Sequence, residues 1–226
     1  MQESVFTRIQ SLPLFQGISR DDLLRMIERA RFNFVSVETG ELITEQGKSA
    51  SQLIYALSGT FQLTQSVSDA FRVTEILDAP FIFEPECLFG KLLTWRHTLQ
   101  ATVDAQLLNI SKSEVVGHLM DFYTFRLSFL CYLSCHADHL HVETHFLNRQ
   151  LSLSETMILF LSKYLISPTG SKTFYIGMNQ LAQCLSTSRL SVSKCLNDLQ
   201  REGLVHLGRK TIVIPQFELL LAKLEK

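Results

Sequence analysis

Between residues 34 and 110 a turn signal falls roughly every ten residues, which limits this stretch to short strands. Gly40, Gly47, Gly59, Ser68-Asp69, Asp78-Ala79-Pro80 and Pro85 separate the apolar runs 42–43, 53–57, 71–77, 81–83 and 101–110. Phe61, Leu63 and Val67 alternate with Gln62, Thr64 and Ser66, as a half-buried strand requires. Many short antiparallel strands with such spacing close into a barrel or a sandwich. Pro80 and Pro85 are expected at strand ends, because proline cannot donate to a ladder.

The texture changes at Val115. From there to Asn148 the chain has no proline and one glycine, Gly117. Leu119, Arg126, Leu133, Leu140 and Leu147 repeat every seven residues, with Tyr123, Leu130, Ala137 and Thr144 four further on. A seam of that length suits two readings: a long helix lying on the barrel, or a parallel dimer helix. The narrowness of the seam favours the dimer, with Tyr123, Arg126, Leu130, Leu133, Ala137 and Leu140 as its contacts. Arg126 then calls for solvent or a charged partner at its level.

The flanks are helical. Residues 4–31 read as helices around a turn, with Ser19 capping a helix that carries Asp21, Asp22, Leu23, Leu24, Ile27 and Ala30. Ser152-Leu153-Ser154-Glu155 is a capping box opening a helix through Met157, Phe160, Leu161 and Leu165. A short strand at 173–176, two helices, a hairpin over 204–214 turning at Gly208-Arg209-Lys210, and a last helix starting near Pro215 and ending at Leu224 complete the pattern. The expected fold class is therefore α+β, divided at 1–114, 115–149 and 150–226.

Residues 178–197 fit a helix-turn-helix. Leu181 and Leu185 lie on one face of a first helix, Ala182 is small where two helices must meet, and Ser186-Thr187-Ser188 supplies the turn and the next cap. Val192 and Cys195 face inward, which leaves Ser188, Arg189, Leu190, Ser193 and Lys194 facing outward. An α-helix fits the major groove, where an arginine can donate a bidentate pair to guanine O6 and N7. Arg209 and Lys210 at the hairpin tip would reach neighbouring phosphates. The competing reading is a helical hairpin with scattered surface charge. Charge weighs against it: residues 171–210 hold six basic and two acidic groups, a net of +4, on a chain whose total is −1. The rest therefore sums to −5, a basic segment on an acidic body.

At these residues the chain resembles the catabolite-activator/fumarate-nitrate-regulator (CRP/FNR) transcription factors. Leu12-Pro13-Leu14-Phe15-x-Gly17-Ile18-Ser19 looks like their N-terminal signature. Gly40-Glu41-x-Ile43, Gly47 and Gly59, with Leu53-Ile54-Tyr55-Ala56-Leu57 between, are similar to their β-roll pattern. Ser188-Arg189-x-x-Val192-x-Lys194 and Gly208-Arg209-Lys210-Thr211-Ile212-Val213 look like their recognition helix and wing. The resemblance implies a bacterial, cytoplasmic regulator: a β-roll of cyclic-nucleotide-binding type (a jelly roll), a long dimerisation helix and a C-terminal winged helix-turn-helix. Implied partners are double-stranded DNA, a second copy and RNA polymerase, with no membrane.

Departures from the family pattern set further expectations. The recognition helix carries Leu190 where the family commonly has Glu, and Lys194 where it commonly has Arg. Leu190 can meet a thymine methyl but cannot accept from cytosine, and Lys194 is a point charge rather than a fork, so a distinct palindromic operator is expected. In the effector region Phe83-Glu84-Pro85-Glu86 replaces the family's Gly-Glu pair, and Trp95-Arg96-His97-Thr98 its Arg-Ser. Glu84 and Arg96 are the candidate pocket residues. Phe83 removes a close backbone approach and Glu86 adds a repelling charge, so a cyclic nucleotide is not expected.

No cysteine precedes Cys87, which excludes the family's N-terminal iron–sulfur cluster, and no cofactor is expected. Cys131, Cys135, His136, His139, His141 and His145 form a cluster that suits a metal, thiol or pH sensor, or merely a solvated helix end. The metal reading is not adopted. The sequence contains no nucleophile elbow, Walker loop, zincin pair or GxGxxG, so an enzyme is not expected. No basic segment leads an apolar run at the start, so no secretion signal is expected, and five cysteines in no framework spacing suit a reducing compartment. A cyclic-nucleotide-type sensory module without DNA function stays as the alternative.

Overall fold

The structure is a computed structural model describing residues 5–140 and 151–224. It is α+β, with an N-terminal antiparallel sheet domain and a C-terminal helix-turn-helix. The chain divides into two compact units. One holds the residues up to Phe61, Asp78–Arg96 and Gln100–His139; the other holds Gln62–Leu77, His97–Leu99 and the chain from Leu140 on. This division differs from the expected boundaries, because a β-hairpin from the middle of the strand-rich stretch groups with the C-terminal residues.

In the first unit, α1 (Val5–Gln10) and α2 (Arg20–Arg29) precede the strands. Ser19 caps α2 as expected, its Oγ accepting from Asp22 N–H at 3.2 Å. The sheet runs β1 (Asn33–Val37), β8 (Ala105–Ser111), β3 (Gln52–Ser58), β6 (Phe81–Phe83), and its pairings are antiparallel. β2 (Leu42–Thr44) and the 40–47 turn close against the chain near 95–101, with Ala101 N–H donating to Glu41 O at 3.0 Å and Gly47 N–H to Trp95 O at 2.9 Å. Gly59 is obligatory at its turn. Its φ is +102°, and a Cβ there would sit 2.5 Å from Ala105 Cβ. Pro80 and Pro85 fall outside the strands, as the ladder requires.

The long helix starts later than its heptads suggest. α3 (Lys112–Gly117) and a 3₁₀ turn (Leu119–Asp121) come first, and α4 (Tyr123–Leu140) begins only after them. Leu119, at a seam position, is fully buried in the core. Leu133 also packs half-buried against that core. Phe125 and Phe129 hold α4 to the body: Phe125 meets Phe15 with ring centres 5.3 Å apart, and Phe15 meets Tyr55 at 5.8 Å. The other face stays open, with Tyr123 71% and Leu130 62% exposed and Leu127 beside them. Arg126 is exposed and donates to Met120 O at 3.0 Å. Ala137 is exposed. The side chain of Leu140, and residues Thr144 and Leu147, lie outside the described residues.

In the second unit a sheet runs β10 (His206–Gly208), β11 (Thr211–Ile214), β9 (Lys172–Ile176), β5 (Phe71–Asp78), β4 (Thr60–Ser68) and on to β7 (Thr98–Ala101). α5 (Leu153–Ser162), α6 (Met178–Cys184), α7 (Arg189–Arg201) and α8 (Phe217–Leu221) pack with it around one core. The capping box forms: Ser152 Oγ accepts from Glu155 N–H and Glu155 Oε2 from Ser152 N–H. α5 ends at Ser162 rather than Leu165, and Pro215 stays outside the last helix, whose cap is Gln216. Val67, expected on a buried strand face, is exposed near the hairpin tip.

Candidate nucleic-acid interface

α6 and α7 form the helix pair, and small apolar residues set its geometry. Leu181, Ala182, Val192, Leu196 and Leu199 are buried in the unit's core, with Leu185 and Cys195 packed against it. The turn between the helices carries Ser186 at φ +50°. Ser188 then caps α7, its Oγ accepting from Ser191 N–H at 3.0 Å.

With 100° per residue, burying Val192, Leu196 and Leu199 turns the opposite face of α7 outward. Arg189, Leu190 and Lys194 are exposed there, and Ser188 is exposed at the cap. Ser193 is half-buried and accepts from Asn197 Nδ2 at 3.5 Å. Asn197 belongs to the same exposed face and was missed from the sequence; the i+4 spacing from Ser193 is the signal that points to it. Leu190 is 81% exposed.

The wing forms between β10 and β11, with His206 opposite Val213 and Gly208 opposite Thr211. Its tip is Arg209-Lys210, both exposed, and Lys210 adopts φ +57° to turn the chain. Two further basic groups are not available as counted. Lys172 is fully buried in an ion pair, and Arg201 pairs with Asp198 at 3.0 Å. Of the six basic groups of 171–210, Arg189, Lys194, Arg209 and Lys210 therefore make up the candidate contact surface, concentrated on the second helix and the wing tip.

Glu84 and Arg96 do come together in the first unit. Glu84 sits at φ 38°, ψ 52°, which turns its buried carboxylate toward Arg96. Oε2 accepts from Arg96 N–H at 2.9 Å, and Oε1 lies 3.3 Å from Arg96 Nε. The guanidinium also pairs with Glu86. Phe83 fills the adjoining space, its ring 5.2 Å from that of Trp95. Burial, and then the charge of Glu84, push the Cys87 thiol up to about 12, which leaves it unreactive. Glu84, Glu86 and Cys87 bring ligand atoms within 4.8 Å of one another, but Arg96 already supplies the cation that two carboxylates require.

Cys131 and Cys135 are exposed on α4. The side chains of His136 and His139, together with His141 and His145, lie outside the described residues. Among the described residues no helix is long and apolar enough to cross a membrane.

The second unit is a winged helix-turn-helix, a class of DNA-binding domain. Residues 156–223 match the family described as the Crp-like helix-turn-helix domain. Among solved structures, the catabolite activator protein of Thermus thermophilus is 22% identical with a TM-score of 0.53, covering 92% of this chain and 96% of that one. The sensor domain of the transcriptional regulator DNR from Pseudomonas aeruginosa is 21% identical with a TM-score of 0.50, covering 65% of this chain and 99% of that one. No curated protein matches the sequence. The chain carries a Crp-like helix-turn-helix domain and shares its overall fold with the catabolite activator protein of Thermus thermophilus.

Proposed function

We propose that this protein is a sequence-specific transcription regulator that binds a palindromic operator as a homodimer in the cytoplasm, with RNA polymerase as a further partner. The observation that carries the proposal is the surface of α7 and its wing: Arg189, Leu190 and Lys194 project from a helix anchored by Val192 and Leu196, with Arg209 and Lys210 at the wing tip. In this arrangement Arg189 reads guanine, Leu190 contacts a thymine methyl, Asn197 and Ser193 add polar contacts, and the wing holds phosphate. The open face of α4, with Tyr123, Leu127 and Leu130 at helical spacing, supports a two-fold partner. Phe125 and Phe129 show that the opposite face of the same helix is already committed to the core. The test is retention on heparin or mixed genomic DNA, with log affinity falling linearly against log salt. Elution that ignores salt contradicts the proposal.

The β-roll site supports a regulator without a cyclic-nucleotide effector. A cyclic phosphate would have to take Arg96 from both Glu84 and Glu86, and Phe83 stands where a backbone donor would be needed. Calorimetry with cyclic AMP and cyclic GMP is expected to show no binding heat at micromolar concentrations. Saturable heat in that range contradicts this part of the reading.

A further inference from the structure

The hairpin β4–β5 joins the C-terminal unit through β5, by its hydrogen bonds, its core and its charge, while β4 carries the same sheet on to β7. β5 pairs antiparallel with β9 over five residues, from Phe71 opposite Ile176 to Glu75 opposite Lys172. The same face of both strands points inward, so Phe71, Val73 and Glu75 meet Ile176, Phe174 and Lys172 as three successive buried layers. Phe71 stacks on Phe160 with ring centres 6.0 Å apart and meets Tyr164 edge-on at 4.9 Å. On the outer face Arg72 lies over the Tyr175 ring at 4.4 Å. At the tip, Gln180 of α6 donates to Ser68 Oγ at 3.2 Å.

The third layer is a clasp. Lys172 is 0% and Glu75 1% exposed, and Nζ lies 2.7 Å from Oε2. The same carboxylate accepts from Ile166 N–H at 2.8 Å and Ser167 N–H at 3.3 Å, which ties the turn after α5 to both strands. Glu218, whose carboxylate lies near enough to feel the charge of Lys172, is exposed and accepts from Gly170 N–H at 2.9 Å. Withdrawing the hairpin would therefore leave a buried ammonium without its carboxylate, expose Phe71 and Val73, and strip β9 of one ladder. A buried pair broken on one side is among the most costly changes a fold can undergo.

We infer that the β4–β5 hairpin is a permanent part of the DNA-binding head, clasped by Glu75 and Lys172, and travels with it in the DNA-bound state. The clasp itself stands on geometry alone, whereas its persistence on DNA rests on the function proposed above.

Two measurements on the full chain test the inference. In hydrogen exchange, amides of β5 and β9 are expected to open together with the buried turns of α7, and Glu75→Gln to speed both strands at least about tenfold while β3 and β8 keep their rates. Exchange of β5 in step with β3 and β8 instead overturns the clasp. Thr74 and Thr173 face each other across the pair. The double variant Thr74→Cys/Thr173→Cys is expected to form the crosslink on oxidation, mapped by peptide mass, because directly opposed residues have disulfide-compatible spacing. Oxidised and reduced forms are expected to bind mixed genomic DNA within about twofold of each other. A loss of about tenfold or more on oxidation overturns persistence on DNA. If the reduced form binds no DNA, the functional proposal fails, and the exchange pattern still decides whether the hairpin belongs to the head.

Discussion

Replacing Arg189, Arg209 and Lys210 together by alanine lowers affinity for duplex DNA by about a hundredfold or more at moderate salt. Arg189 contributes about 1–3 kcal/mol of base discrimination when its guanidinium pairs with guanine. Each wing cation that neutralises a phosphate adds about 0.9 to the salt slope, so losing two flattens it by about 1.8. All three side chains are exposed, and Lys210→Ala retains the same φ with the same Cβ, so stability is expected to change by no more than about 0.5 kcal/mol. Fluorescence anisotropy across a salt series, with a thermal melt alongside, separates the two effects. Unchanged affinity at every salt concentration contradicts the assigned surface.

The second large effect is one of stability. Phe71→Ala is expected to cost about 3–5 kcal/mol, the usual range for removing a fully packed phenylalanine. The ring lies in the core with Met157, Phe174 and Leu196, residues at least 86 positions further along the chain, and packs on Phe160 and Tyr164. The loss should therefore appear in the unfolding of the helix-turn-helix unit. Val67→Ala, at an exposed site on the same hairpin, serves as the control and is expected to cost no more than about 0.5 kcal/mol. Denaturant unfolding followed by hydrogen exchange reads both. If Phe71→Ala leaves the exchange of Leu196 and Leu199 unchanged, the hairpin is not part of that core.

The helix-turn-helix was legible because its signals are local. Ser152, Ser188, Ala182 and Val192 each carry a packing or capping requirement that sequence spacing states directly, and the structure meets each of them. The hairpin was not legible in the same way. The apolar run over 71–77 marks a strand but not which partner buries it, and β5 finds that partner in β9 about a hundred residues away. Lys172 misled for the same reason: a lysine counted into a basic segment reads as surface charge until Glu75 is placed beside it. The heptad count ran through residues 118–122 because Leu119 keeps the spacing while sitting on a 3₁₀ turn in the core. In the β-roll the sequence brought Glu84 and Arg96 into one region. That Arg96 is engaged by two carboxylates depends on the left-handed backbone at Glu84, which no motif announces.

The central claim is that α7 reads DNA sequence from a two-fold assembly. Selection from a randomised duplex pool by the full chain tests it most directly. The account predicts enrichment of a palindrome with half-site centres about 34–36 Å apart, one helical turn, and a thymine preference that Leu190→Glu abolishes. A pool that emerges without an enriched palindrome contradicts it.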